Sequence, residues 1–162
     1  MDLKSGIIKI NGEIFAPGYT FEDFQKSTFF EGQDGVRIIR LNKTVRISEN
    51  NFITSLFFRN KILYMLSMMC VDIDIPFSEE IKRKQFHDAI LAKNGLSPET
   101  FFDWGSIKSV YDPKGNVATV YKGNIIKNLI MDCQSYTKYR PNETTGGIFV
   151  SWRRKEELPT GA

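Results

Sequence analysis

Few side chains in this sequence could serve as a nucleophile or a general base. The 162-residue chain has one histidine, His87, and two cysteines, Cys70 and Cys133. Asp88 follows His87 in the segment KQFHDA, but on a helix its side chain points about 100° away, so a His-Asp relay between them has poor geometry. A thiol-imidazole pair of Cys133 with His87 is an alternative, although no residue near Cys133 indicates an activated thiol. The pattern predicts a histidine on a helix surface and no catalytic site.

Carboxylates are densest between residues 72 and 80, where they could bind a metal ion or a protein partner. The four are Asp72, Asp74, Glu79 and Glu80. A calcium loop requires a different spacing and a central glycine, so the segment predicts no metal site. Glu79 and Glu80 are also typical of a helix start, and each has a basic residue four positions later. Two interpretations stay open, a helix start beside a strand end and an acidic patch that binds a partner. No metal and no cofactor is predicted.

Aromatic residues near polar segments are the other candidates for partner binding. Tryptophan, tyrosine and arginine dominate the binding energy of many protein interfaces. The candidates of this kind are Trp104, Tyr136, Tyr139, Arg140 and Trp152. Each could instead lie at the rim of the core, and the sequence alone does not separate the two roles.

Common catalytic and nucleotide-binding motifs are absent from the sequence, which contains no GxxxxGK[ST], GxGxxG, HExxH or GxSxG. The net charge of +3 is uneven, since residues 1–80 have nine basic against eleven acidic side chains and residues 81–162 have thirteen against eight. An excess of five positive charges over half a chain is a weak signal for nucleic acid. A nucleic-acid-binding or regulatory module is therefore the alternative function, with Arg153 and Arg154 joining the aromatic candidates of the basic half.

Composition and cysteine content are those of an ordinary globular domain. Hydrophobic residues make up 41% of the chain and charged residues 25%, and a chain of this length can form a core without disulfides or metals. The first residues, MDLKSGIIKINGEIF, have no apolar stretch followed by a cleavage site, so no secretory signal is predicted. We expect one domain over residues 1–155, a flexible tail over 156–162 and a cytoplasmic location. The oligomeric state is not predicted.

Short β-prone runs and one short helix are expected before residue 50. Asn11-Gly12 predicts the turn of a hairpin over residues 6–15. Thr20 predicts the N-cap of a helix that ends near Ser27. From Val36, the sequence VRIIRLNKTVRIS predicts a strand, a turn at residues 42–43 and a second strand.

The stretch FITSLFFRNKILYMLSMMCV, residues 52–71, predicts the central hairpin of a sheet. A membrane helix is disfavoured because a central Arg and Lys would each cost about 2.5–3.5 kcal/mol, and no membrane contact is expected. A single buried helix is disfavoured because Arg59 and Lys61 would lie on nearly opposite sides of it. Two strands that turn at Arg59-Asn60-Lys61 place the charges at an exposed tip. Apolar residues on both faces of each arm predict a central position in a sheet that is covered on both sides.

The best helix signal runs from Ser78, the predicted N-cap, to Lys93, Asn94 and Gly95. The side predicted to pack on the sheet contains Ile81, Phe86, Ala89 and Ile90. Residues 96–99 predict a short helical turn. Next, IKSVY, VATVY and IIKNLIM predict a meander, residues 132–147 a polar loop and GIFVSWRR a last strand. The sequence thus predicts the α+β class, mainly an antiparallel sheet with one principal amphipathic helix and one or two short helices.

Three segments, TFEDFQKSTFFEGQDGVRIIRL, SLFFRNKILYMLSMMC and RKQFHDAIL, follow one another in an order that is typical of a class of protein. Over residues 7–121 the sequence resembles the small α+β immunity proteins of bacterial polymorphic and contact-dependent toxin systems. The resemblance transfers no catalytic residue. It implies a cytoplasmic, non-enzymatic protein whose partner is a cognate toxin. Immunity proteins against basic nucleases are often acidic, so the charge of +3 favours another kind of toxin unless the carboxylates of residues 72–80 form the binding surface.

Overall fold

An antiparallel sheet is the centre of the fold in this computed structural model, which describes residues 3–33, 38–75, 79–111 and 147–152. In chain order the elements are the 3-10 turn Leu3–Ser5, β1 (Ile8–Ile10), β2 (Glu13–Phe15), α1 (Phe21–Lys26), β3 (Ile38–Arg40), β4 (Val45–Ile47), β5 (Asn50–Arg59), β6 (Ile62–Cys70), α2 (Glu80–Lys93), β7 (Glu99–Phe102), β8 (Gly105–Val110) and β9 (Gly147–Trp152). Seven strands form the main sheet in the order β3-β5-β6-β9-β8-β7, with β4 also paired to β5, while β1 and β2 form a separate hairpin. The predicted α+β class is confirmed.

Two tight turns confirm the hairpins that the sequence predicted. Asn11 and Gly12 connect β1 to β2 with φ of 47° and 88°, and Asn60 and Lys61 connect β5 to β6 with φ of 50° and 62°. Two consecutive residues in the left-handed region match the right-handed twist of the flanking strands. The stretch 52–71 is therefore the long hairpin β5-β6, and both of its strands lie inside the sheet.

The short helix α1 begins as predicted, with a reciprocal capping box. The Asp23 amide donates to Thr20 Oγ1 at 3.1 Å, and the Thr20 amide donates to the Asp23 carboxylate at 2.9 Å. The predicted strands after residue 36 are also present as β3 and β4, but each of them pairs with β5 and not with the other.

One face of the sheet forms the main core. A continuous row of paired residues crosses the central strands on this face, from Leu56 through Leu66 and Val150 to Ile107. All four side chains are fully buried. The β1-β2 hairpin, α1 and α2 contribute the rest of the cluster, with Phe15, Phe24 and Leu91 among its largest members.

A bulge near the tip of the central hairpin places buried residues on the opposite face as well. Phe57 pairs with Met65, whereas Phe58 pairs with Leu63, so Tyr64 is an extra residue on β6. Phe58 and Leu63 join the main core, and Phe57 and Met65 form a second cluster with Tyr64 packed against it. Both faces of the hairpin thus contribute buried side chains near its tip. The predicted covering of both sides is not confirmed within the described residues, because β1-β2, α1 and α2 all pack in the main core.

The principal helix forms where it was predicted, but the side that it buries differs in part from the predicted side. The residues that α2 buries are Glu80, Arg83, His87 and Leu91, whereas Ile81 and Ala89 are exposed and Phe86 and Ile90 are half-buried. The predicted packing side was therefore only partly right: Phe86 and Ile90 pack against the main core, but the burial of Arg83 and His87 turns Ile81 and Ala89 to solvent. Its N-cap is Glu79, whose side chain forms no capping hydrogen bond. Ser78, the predicted cap, lies outside the described residues.

The segment after α2 is the other correction. Residues 96–99 were predicted to form a helical turn, but Glu99 begins the strand β7, which pairs with β8. A strand is favoured because residues 99–102 align with β8 across a two-residue turn. Strands β8 and β9 confirm the predictions for IKSVY and GIFVSWRR. The predictions for VATVY, IIKNLIM, most of the loop 132–147 and the tail 156–162 lie outside the described residues. Within the described ranges, neither α-helix has the length and apolarity that crossing a membrane would require.

Candidate functional site

Three of the four carboxylates predicted as an acidic patch, Asp72, Glu79 and Glu80, point to different partners. Asp72 is exposed just after β6, where its oxygens accept hydrogen bonds from the Asn51 side chain at 2.7 Å, the Asn51 amide at 2.9 Å and the Asn50 side chain at 3.1 Å. Hydrogen bonds from Asn51 above all lower the pKa of Asp72. Asp72 therefore fastens the end of β6 to the start of β5. Asp74 is exposed.

The two glutamates at the start of α2 also point to different partners. Glu79 forms an ion pair with Lys82 at the surface. Glu80 is only 4% exposed, and its carboxylate accepts from Arg83 Nε at 3.0 and 3.2 Å. Both pairs span three residues, not the four that the sequence indicated. Glu80 is thus turned into the protein, and the described residues contain no group of three or more Asp, Glu, His or Cys that could hold a metal ion.

His87 lies in the interior and not on the helix surface that was predicted for it. Its side chain is completely buried, and Nε2 accepts a hydrogen bond from the Cys70 amide at 3.0 Å. Burial first, and then the positive charge of Arg83, lowers the pKa of His87 to about 4. The ring is therefore neutral at pH 7 with its proton on Nδ1, an atom that has no hydrogen-bond partner within the described residues.

Arg83 completes a polar contact between α2 and the last residue of β6. Its Nη1 donates to the Cys70 carbonyl at 2.6 Å, while its Nε is held by Glu80. On this side β9 pairs with β6 only from Met65 to Met68, so it does not reach Cys70. The helix side chains of His87 and Arg83 therefore supply the partners that an adjacent strand would otherwise provide. We call this arrangement of Glu80, Arg83, His87 and Cys70 the polar staple.

The Cys70 thiol is part of the same region and is fully buried. Its Sγ lies 3.6 Å from an oxygen of Asp72, and burial above all raises the pKa of the thiol. A nucleophilic cysteine needs the opposite, a stabilised thiolate that a substrate can reach. His87 binds the backbone of Cys70, so the pair serves to position α2.

Both tryptophans predicted as partner-binding residues hold the N-terminal segment. Trp104 Nε1 donates to the Lys4 carbonyl at 2.9 Å, and Trp152 Nε1 donates to the Gly6 carbonyl at 2.8 Å. Trp104 is half-buried and stacks on Phe102 with ring centroids 4.9 Å apart, whereas Trp152 is buried. The indole N–H groups are thus engaged within the fold. The other candidates for partner binding, Tyr136, Tyr139 and Arg140, lie outside the described residues, as do Cys133, Arg153 and Arg154.

Arg59 was predicted only as a turn residue, and no role was predicted for Tyr64, which lies beside it in the structure. The Arg59 guanidinium carbon lies 4.8 Å from the centroid of the Tyr64 ring. One terminal nitrogen, Nη2, is shielded from solvent and finds no acceptor among the described residues. The only early signal was a charged residue inside an apolar run, because the bulge that brings Tyr64 to Arg59 leaves no trace in the sequence pattern.

Two features of the described geometry stand out: a charged interior contact, the polar staple, and a half-buried cation with an unused donor, Arg59. Neither is a known catalytic arrangement. Comparison with protein-family models, with curated proteins and with solved structures found no match to this chain.

Proposed function

We propose that this protein is a non-enzymatic binding protein of the bacterial cytoplasm, an immunity protein that binds and neutralises a cognate toxin domain. One observation carries the proposal: the side chains best suited to chemistry in the described part of the chain hold the fold together. His87 binds a backbone amide, and the Cys70 thiol is enclosed beside it. Such contacts make a rigid scaffold, and a pre-formed surface reduces the entropic cost of binding a partner.

The immunity role rests on the sequence resemblance over residues 7–121. The α+β architecture and the central hairpin with its RN turn are compatible with that resemblance. The net charge of +3 favours a toxin domain with acidic surface over a strongly basic nuclease, since charge complementarity governs association rates and partner choice.

Stoichiometry separates a binding inhibitor from an enzyme. The toxin encoded beside this gene would be mixed with increasing amounts of this protein and its residual activity measured. A binding inhibitor abolishes activity at one molecule per toxin and forms a stable complex on size-exclusion chromatography. Protection at a small fraction of one equivalent would mean turnover and would contradict the proposal, as would the absence of a complex.

A cysteine-free variant provides the matched control. Cys70→Ala removes the thiol but keeps the backbone groups that His87 and Arg83 bind, and Cys133→Ala removes the other thiol. The double variant should protect against the toxin at the same ratio as the natural sequence. Loss of protection by a variant whose circular dichroism spectrum is unchanged would instead indicate cysteine chemistry.

A further inference from the structure

Arg59 and Tyr64 form a fixed cationic pair at the tip of the central hairpin. The guanidinium carbon is 4.8 Å from the ring centroid, and the Tyr64 ring in turn meets Phe57 edge-on at 6.5 Å. Arg59 is half-buried, with Nη2 shielded and without an acceptor among the described residues. A shielded N–H without an acceptor is uncommon in native proteins. An arginine guanidinium presents its donors as a planar fork that matches a carboxylate.

The bulge in β6 makes this arrangement possible. Because Tyr64 is the extra residue between Leu63 and Met65, its side chain falls on the same face as that of Arg59. In a regular strand Tyr64 would pair with Phe58 and point into the main core. Bulges re-aim side chains and are frequent beside functional sites. The irregularity thus has a specific result, which is to hold Arg59 in place.

The surroundings of Arg59 are cationic, partly apolar and rigid. Asn60 and Lys61 are exposed, and Ile62 is 48% exposed. Neither Arg59 nor Lys61 forms an ion pair with another described residue. The backbone of the tip is fixed by the segment before α1, since the Phe21 amide donates to the Lys61 carbonyl at 2.8 Å. Among the described residues, the tip therefore offers two cations without an ion-pair partner beside an exposed aliphatic side chain.

We propose that the hairpin tip Arg59–Ile62 is the surface that docks the protein partner, and that Arg59 receives a carboxylate from an acidic segment of that partner. A small rotation of the guanidinium would let Nη2 donate a second hydrogen bond to the carboxylate that Arg59 binds. Ile62 would contact an apolar side chain beside that carboxylate. This inference rests on the proposed function and specifies the chemistry of the toxin surface. The occupant is acidic because charge complementarity requires it.

The test compares charge-matched variants by isothermal titration with the purified toxin domain encoded beside this gene. Arg59→Gln should weaken binding by at least about 30-fold, the usual scale for losing one member of a desolvated charge pair. Arg46→Gln is the control, since Arg46 is exposed and pairs with Asn51, eight residues and about 27 Å along β5 from Arg59. It should change the affinity by less than about 3-fold, since a distant exposed charge affects mainly the association rate. The affinity of the natural protein should also fall as salt is raised.

A second variant keeps the test decisive if Arg59→Gln unfolds. Ile62→Asp changes an exposed side chain, so the variant should fold, but it places a negative charge against an acidic partner and should abolish binding. If the natural protein does not bind the toxin, the proposed function fails. If it binds, and Ile62→Asp and any folded Arg59→Gln bind as well as the natural protein, the docking surface is wrong while the proposed function stands.

Discussion

Replacing Arg83 with methionine tests whether the polar staple holds α2 on the sheet. Arg83 is 6% exposed, and it donates to Glu80 through Nε at 3.0 and 3.2 Å and to the Cys70 carbonyl through Nη1 at 2.6 Å. Methionine fills a similar volume with neither charge nor donors. The substitution therefore leaves the Glu80 carboxylate buried without a cation and the Cys70 carbonyl without this donor.

The expected loss follows from these two contacts. Removing one member of a buried ion pair typically costs about 3–5 kcal/mol, because the remaining charge is uncompensated. A buried carbonyl that loses its donor costs about 1–3 kcal/mol. The two contributions overlap, since the released Glu80 side chain can move towards water. We expect the free energy of unfolding to fall by about 4 kcal/mol, a large part of the stability of an ordinary domain.

Urea unfolding followed by circular dichroism measures this loss, and Lys82→Met is the matched control on the same helix. Lys82 pairs with Glu79 at the surface, where its side chain is 61% exposed, so its loss should cost less than about 1 kcal/mol. Adding Glu80→Leu to Arg83→Met should restore much of the stability, because the buried charge is then gone. Equal losses for Arg83→Met and Lys82→Met would refute the structural role of the staple.

Three further outcomes are expected. The free energy of unfolding should fall by about 3 kcal/mol as the pH is lowered from about 6.5 to about 4. The reason is that His87 stays neutral in the folded protein, where its pKa is about 4, but takes up a proton when the chain unfolds. Urea titrations of a His87→Gln variant should lack this contribution. Gly6→Ala should destabilise more than Gly18→Ala in thermal melts, because both have φ above 70° but only at Gly6 would a Cβ meet Trp104, at 2.5 Å. Thr20→Ala should cost about 1 kcal/mol by removing the capping box, and a change below about 0.3 kcal/mol in the urea midpoint analysis would contradict it.

The central hairpin was predictable because its alternatives carry large energetic penalties. Two charges in the middle of an apolar run exclude a membrane span and a buried helix, and Asn60 accepts a left-handed turn. The turn and both strands are therefore present in the structure. The strand order was not predictable, since β9 inserts between β6 and β8 from far along the chain.

The orientation of α2 could not be read from its sequence. Apolar periodicity points to Ile81 and Ala89, yet the structure buries Arg83 and His87. The physical reason lies in β6, where the backbone of Cys70 needs partners that β9 does not supply. A requirement in one element thus determines which side of another is buried, and no pattern within α2 reveals it. Side-chain direction could not be read from the sequence in the predicted acidic patch either. The carboxylates are close in sequence, but Glu80 points inward to Arg83.

The polar staple also removes a place where a strand of another molecule could pair. Where β9 ends, the outer side of β6 would present an unpaired amide and carbonyl, and such groups can add a strand from another molecule. His87 and Arg83 occupy both groups of Cys70 and cover them with α2. The polar side chains on the inner side of α2 thus leave neither backbone group of Cys70 open to a strand of another molecule. An apolar side chain could cover these two groups but could not form hydrogen bonds with them.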